Sequence, residues 1–186
     1  MRLYIRQKGN NYRFFENDNE QEILTGYWDR KRKVGLFSKI VDVDDSELVT
    51  VTLTKSPWFW ELSKATYRIE IHKEHIQINV KAVNYHKGHW TFNINGDKYD
   101  FYFHSGHKKS LFKNDKQVAK YNKGQVQFWT NDSGYVIANN NESKLLLLSL
   151  FIMFDMGEYM GADVNVDLGK LNNGVIENNE HWTPTK

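Results

Sequence analysis

The sequence predicts a mainly β protein, in which a closed antiparallel barrel of about twelve strands surrounds one hydrophobic C-terminal helix. Two observations support this fold class. Up to about residue 140, short segments of strand composition alternate with short stretches of turn residues. Residues 145–154 then read LLLLSLFIMF, and a helix of that sequence is apolar on nearly every side. Such a helix has to be enclosed all round, and a sheet that closes into a barrel encloses it while removing exposed strand edges.

The alternation that marks a strand is clearest in residues 66–83. Ile69 and Ile71 alternate with charged residues, and Ile76 and Ile78 alternate with polar residues beyond a short turn. This spacing places Ile71 opposite Ile76 and Ile69 opposite Ile78, so both strands bury the same face. The segment therefore predicts a hairpin with a defined register.

A second hairpin is predicted at Asn95-Gly96, because this dipeptide supplies the positive φ angles of a two-residue turn. The turn sets Trp90 opposite Phe101 as an aromatic pair across the two strands. The same pattern of strand-like segments separated by short turns recurs along the chain and predicts about six or seven strands within residues 66–130. The other predicted strands lie near residues 2–7, 11–15, 22–28, 33–43, 48–54 and 134–139.

The helix is predicted at residues 142–156, after an asparagine run at 139–141 that can cap its N-terminus. Gly157 is predicted to end it. Leu and Met favour helix over strand, and the apolar run contains no turn residue. Two alternatives remain open, namely a pair of β-strands or one helix between two sheets. A membrane span is excluded for this run, because residues 145–154 would cover about 15 Å as a helix against roughly 30 Å of hydrocarbon core.

One domain accounts for a length of 186 residues, with 40% hydrophobic and 15% aromatic side chains to build its core. We assign residues 1–159 to the barrel and residues 160–186 to an acidic C-terminal tail or loosely packed extension. Residues 155–186 carry six acidic and two basic side chains, a charge of −4, so the net +2 of the chain leaves +6 on residues 1–154. Charge is therefore segregated along the chain, although the net charge alone does not indicate a polyanion binder.

The absence of cysteine excludes disulfide frameworks, thiol nucleophiles, Cys-ligated zinc and palmitoylation together. At the N-terminus, Arg2, Arg6 and Lys8 interrupt the apolar residues, whereas a signal peptide has a continuous apolar stretch. We therefore expect a cytoplasmic protein without a transmembrane segment, with peripheral attachment to a membrane as a further expectation.

Two segments resemble a known family. Residues 145–156, LLLLSLFIMFDM, are aliphatic and end in Asp155, and residues 103–124, FHSGHKKSLFKNDKQVAKYNKG, have a repeated cadence of strand, short turn and strand. The chain resembles the tubby C-terminal-like superfamily, and within it the LURP-one-related branch. The resemblance implies a closed barrel around the C-terminal helix.

The resemblance also implies classes of activity. Tubby-like domains bind phosphoinositide headgroups through basic side chains on the barrel, phospholipid scramblases move lipids, and the LURP-one-related members are mostly of unknown activity. This chain departs from the scramblases, because it lacks cysteine for palmitoylation and has no membrane-length helix. No individual lipid-binding residue can be matched, so none is carried over.

Basic side chains are concentrated in two places. Arg30, Lys31, Arg32 and Lys33 form a continuous run, and Lys108 and Lys109 begin a lysine-rich stretch that continues to residue 123. Cation density of this kind can hold the phosphates of a lipid headgroup or of another anionic ligand. The ordinary alternative is a solvated outer barrel face, and contact with a protein or with the folded-back acidic tail is a third. No RNA-recognition or zinc-finger pattern supports binding to nucleic acid.

Trp58, Phe59 and Trp60 are three large aromatic residues in sequence, and we predict that part of this surface lies outside the barrel. Trp is enriched at membrane interfaces and in protein contacts, so the segment is a candidate for contact with either. The alternative is a structural cap over one end of the barrel.

No cofactor and no metal site is predicted. Six histidines form the pairs His72/His75, His86/His89 and His104/His107, which can lie opposite each other across turns but imply no third ligand. Acidic residues at 42–47 and 163–167 lack the glycine and the last glutamate of a calcium loop. No catalytic motif is present, and catalytic residues stay unknown.

These observations favour a non-enzymatic binding or structural module that engages anionic lipid headgroups or phosphate ligands through a basic barrel face. Two alternatives belong to other classes. One is a protein interaction adaptor that uses the exposed aromatic residues and the acidic tail, and the other is an enzyme with a site at a barrel mouth.

Overall fold

A computed structural model describes residues 1–17, 21–31, 35–55, 66–84, 88–104, 106–123, 132–159, 176 and 178–185. Twelve strands and one helix lie within these ranges, so the predicted fold class is confirmed. In chain order they are β1 (Arg2–Lys8), β2 (Asn11–Glu16), β3 (Glu22–Lys31), β4 (Gly35–Val41), β5 (Glu47–Lys55), β6 (Thr66–Ile71), β7 (Ile76–Asn84), β8 (His89–Ile94), β9 (Asp97–His104), β10 (Lys108–Lys113), β11 (Lys116–Lys123), β12 (Asp132–Ala138) and α1 (Lys144–Tyr159).

The strands form a closed antiparallel barrel. Each strand pairs with its neighbour in sequence, and β1 pairs with β12 to close the ring. The predicted registers are confirmed, with Ile71 opposite Ile76 and Ile69 opposite Ile78. Asn95 and Gly96 have φ angles of 51° and 88°, as the predicted hairpin turn requires.

Helix α1 fills the interior of this barrel. Every side chain from Leu146 to Met156 is buried, as expected for a helix that is apolar all round. The contacts of the helix reach strands on separate sides of the ring, so a sandwich between two sheets is excluded. They include Ile152 beside Gly26 of β3, Phe151 beside Gly134 of β12, and Phe154 stacked on Phe101 of β9 at a centroid distance of 4.3 Å.

The ends of the helix differ from the prediction by a few residues. The helix begins at Lys144, because Ser143 caps it by accepting a hydrogen bond from the backbone N–H of Leu146 (3.4 Å). Glu142 lies before the helix, where the Tyr99 hydroxyl donates to its buried carboxylate (3.3 Å), and burial raises the pKa of this carboxyl. The helix continues past Gly157 to Tyr159, since one glycine costs a helix only about 1 kcal/mol.

Gly134 allows the helix to approach β12 closely. A Cβ atom at this position would lie 2.8 Å from two ring carbons of Phe151 and 3.1 Å from the Asn122 carbonyl oxygen. We expect Gly134→Ala to lower the free energy of unfolding by about 1–3 kcal/mol, because the added methyl group overpacks the core. Urea denaturation followed by circular dichroism measures this loss.

A second substitution tests the cause. In a Phe151→Leu background the smaller side chain leaves room at Gly134, so Gly134→Ala should cost clearly less there than in the wild type. An equal loss in both backgrounds would show that contact with Phe151 is not the reason for the glycine.

Within the described residues, no helix has the combination of length and hydrophobicity that a membrane crossing needs.

Candidate functional site

The first predicted basic segment, residues 30–33, begins in the last two residues of β3, Arg30 and Lys31. Arg30 is exposed, and its backbone N–H donates to the Asp29 carboxylate (2.7 Å). Lys31 ends β3, but its side chain lies outside the described residues, as do Arg32 and Lys33. Arg30 is therefore the one member of this segment whose environment the structure describes.

Lys108 and Lys109 are adjacent in sequence but lie on opposite sides of the sheet, because side chains alternate along a strand. Lys109 is 6% exposed, and its ammonium nitrogen lies 4.9 Å from the centre of the Phe103 ring and 5.7 Å from that of Phe154. It therefore points into the barrel and not onto the predicted outer face. Lys108 faces outward and forms an ion pair with Glu180.

The aromatic segment predicted to contact a membrane or partner, Trp58, Phe59 and Trp60, lies outside the described residues. So do His86 and the acidic residues at 163–167.

Three histidines of the described residues have protein partners at their ring nitrogens. Their ring nitrogens lie 3.1 Å from Glu47 for His72, 2.8 Å from Asp100 for His89 and 2.9 Å from Ser110 for His104. Burial, followed by the charges of Lys108 and Lys109, lowers the pKa of His104 to about 4. Among the residues described by the structure, no three His, Asp or Glu side chains group as metal ligands would.

The helix carries one acidic residue, Asp155, into the barrel interior, where it is 5% exposed. Its carboxylate pairs with Lys123 of β11 and accepts hydrogen bonds from the Tyr12 hydroxyl and from the Gln7 side-chain amide (2.7 Å). We call Gln7, Tyr12, Lys123 and Asp155 the buried polar cluster. These contacts supply partners for the buried Asp155 carboxylate and tie α1 to β1, β2 and β11.

A second cluster lies on the outer faces of β1 and β2, on the other side of the sheet from the buried polar cluster. It was not among the sites predicted from the sequence. Two arginines, Arg6 and Arg13, lie directly opposite each other in the register of these strands. Their guanidinium carbons lie 4.7 Å and 6.0 Å from the centre of the Phe15 ring. Phe15 faces outward, yet it is 3% exposed. The two guanidinium groups therefore help to cover this ring.

A third arginine extends this surface along β1. The guanidinium carbon of Arg2 lies 4.9 Å from the ring centre of Tyr4 and 5.3 Å from that of Tyr135 on β12. All three arginines are exposed. We call the outer surface formed by Arg2, Arg6, Arg13, Tyr4, Phe15 and Tyr135 the arginine face.

Little negative charge offsets the arginine face. Arg13 pairs through Nε with Glu22, whereas Arg6 has no carboxylate within ion-pair distance among the described residues. Like charges directly opposite each other on two strands repel. A bound anion between Arg6 and Arg13 would remove this repulsion.

A cleft of about 470 Å³ adjoins the arginine face on the outer surface of β2, β3 and β4. Arg13 belongs to both the cleft and the arginine face. Tyr27, Lys39 and Glu47 line the cleft further along, and the hydrogen bond to Glu47 raises the pKa of Lys39. The volume lies within the range of about 300–1,000 Å³ that small-molecule sites occupy.

The sequence contained a signal for the arginine face. Arg2, Tyr4, Arg6 and Lys8 occupy alternate positions of β1, and alternate positions share one face of a strand. The pairing of Arg6 with Arg13 follows from the short turn between β1 and β2, but coverage of Phe15 depends on side-chain packing.

Comparison with known proteins identifies no matching family model, curated protein or solved structure. The function of these surfaces therefore has to be inferred from their own geometry.

Proposed function

We propose that this protein is a binding module that holds a phosphate-bearing ligand on the outer surface of its barrel, at the arginine face. The observation that carries the proposal is the pair Arg6 and Arg13. They are exposed, lie directly opposite each other and place their guanidinium carbons over the same buried ring. Two neighbouring guanidinium groups that share one carboxylate partner, Glu22 on Arg13, suit the oxygen geometry of a phosphate group.

The packing of these arginines supports the proposal. When the flat face of a guanidinium covers an aromatic ring, the N–H donors at its edge stay directed away from the ring. Contact with Phe15 also restricts both side chains before a ligand arrives, so less conformational entropy is lost on binding.

The packing of the barrel interior also favours a binding site on the outer surface. Helix α1 occupies the inside of the barrel, and the Asp155 carboxylate there is bound by Lys123, Tyr12 and Gln7. A ligand therefore has to bind on the outer surface or at an end of the barrel. The cleft beside Arg13 has room for the part of the ligand that is attached to the phosphate group.

The test compares Arg6→Gln/Arg13→Gln with Arg68→Gln. Arg68 is an exposed arginine on β6, so its replacement is a control for loss of surface charge. We expect the double variant to lower the affinity for inorganic pyrophosphate at least about tenfold, because the loss of a single charged hydrogen bond of about 1.5–3 kcal/mol already corresponds to that factor. Isothermal titration calorimetry at two salt concentrations measures this, and added salt should weaken wild-type binding.

A second arm uses phosphatidylcholine vesicles with and without a phosphatidylinositol phosphate. Binding to these vesicles without binding to pyrophosphate identifies a lipid headgroup as the ligand, whereas binding to both identifies the phosphate group itself. Absence of binding in both arms, or an equal loss in Arg68→Gln, overturns the proposal. If Arg30→Gln alone lowers the affinity, the site lies at the end of β3 and not on the arginine face.

A further inference from the structure

Part of the acidic C-terminal tail lies against the outer surface of β10 and β11. The Glu180 carboxylate pairs with Lys108, and the ammonium of Lys120 donates to the backbone carbonyls of Glu180 (3.1 Å) and Trp182 (2.8 Å). Residues 178–185 thus contact the ammonium groups of both Lys108 and Lys120. The alternative that the acidic tail folds back onto the lysine-rich stretch is borne out at these contacts.

A further contact holds the distal end of the segment. The backbone N–H of Thr185 donates to the Asn139 side-chain oxygen (2.9 Å), just after β12. The segment is therefore fixed to the barrel at two places, one on the outer sheet and one beside the N-terminus of α1.

The covered lysines continue the arginine face around the barrel. Lys120 lies opposite Ile137 of β12, and Ile137 lies opposite Arg2 of β1. Lys120 and Arg2 are therefore separated by about two strand spacings, roughly 10 Å, on the same outer surface. Lys108 lies on the same side of the sheet, opposite Asn122.

The ion pair that holds the segment is open to solvent. The side chains of Lys108 and Glu180 are 36% and 62% exposed, so water and salt screen their attraction. The bond to Lys108 lowers the pKa of Glu180, so the ion pair is present at neutral pH and weakens as the pH falls through that lowered value. A competing anion of higher charge can therefore displace the segment.

We propose that residues 178–185 form an autoinhibitory strap, which withholds Lys108 and Lys120 from the phosphate-bearing ligand until a multivalent anion displaces it. This inference rests on the proposed function, to which it adds regulation. With the strap in place the ligand meets the arginine face alone. With the strap released, it meets a basic surface that extends from β2 to β10.

The experiment uses the full chain with Glu180→Gln, and with Glu74→Gln as a control of equal charge change. Glu74 is an exposed acid in the turn between β6 and β7. Limited acetylation followed by mass spectrometry reports whether the lysines are covered, independently of any ligand. We expect labelling of Lys108 and Lys120 to rise about two- to fivefold in Glu180→Gln, in keeping with the strength of an exposed ion pair. Labelling of Lys81 should not change.

Titration with inorganic pyrophosphate supplies the second readout. We expect Glu180→Gln to bind about two- to fivefold more tightly than Glu74→Gln. Unchanged labelling overturns the strap, and increased labelling without tighter binding overturns its inhibitory role. Absence of binding both to pyrophosphate and to the phosphatidylinositol phosphate vesicles in all variants overturns the proposed function and the inhibition together, while the labelling still reports whether the strap covers the lysines.

Discussion

Replacing Asp155 by Asn should lower the free energy of unfolding by about 3–5 kcal/mol at neutral pH, because it removes the carboxylate of a buried ion pair with Lys123. Lys123 and Asp155 have side chains that are 7% and 5% exposed, so water cannot take the place of the lost carboxylate. The hydroxyl of Tyr12 and the amide of Gln7 lose the same charged acceptor. Urea denaturation monitored by circular dichroism measures this loss of free energy of unfolding.

An exposed ion pair provides the matched control. Glu16 pairs with Lys144 at the N-terminus of α1, where the two side chains are 32% and 45% exposed. Glu16→Gln should cost no more than about 1 kcal/mol. If Asp155→Asn costs as little as Glu16→Gln, the buried polar cluster does not hold the helix in the barrel.

Phe154→Ala should have an effect of similar size, with an expected loss of about 3–5 kcal/mol. The Phe154 ring is stacked on Phe101 at 4.3 Å and lies edge-on to Phe103 at 4.6 Å and to Trp90 at 5.5 Å. Removing it leaves a cavity between the helix and three rings of β8 and β9. Because the core around the enclosed helix is closely packed, the neighbouring side chains cannot move far enough to fill this cavity.

Phe112 on the outside of β10 serves for comparison. Its ring contacts Tyr102 edge-on at 5.6 Å, and its side chain is only partly buried. Phe112→Ala should therefore cost clearly less than Phe154→Ala in the same denaturation experiment. Equal losses would mean that the aromatic contacts of the helix add nothing beyond those of an outer aromatic residue.

The enclosed helix also bears on the function. A barrel that fills its interior with its own helix offers the outer surface to ligands, and the arginine face and the strap lie there. The resemblance to the tubby C-terminal-like superfamily stays a prediction, as does the role of Arg30 and Lys108 in binding an anion.

Local sequence determined the elements of this fold. The period of two set the hairpin register that joins Ile69 to Ile78, because short turns leave neighbouring strands few ways to pair. The apolar run at 145–154 implied both a helix and its enclosure, since a helix without a polar side cannot face water.

Only the tertiary structure decided which side chains meet. Asp155 and Lys123 come together because closure of the ring around α1 brings β11 to the same end of the helix. Strand alternation sends Lys109 into the core while Lys108 faces the tail. In the sequence, Lys108 and Lys109 are two neighbouring positive charges that no local feature distinguishes. Their environments differ because burial and pairing depend on elements far away in sequence, whose positions no local pattern specifies.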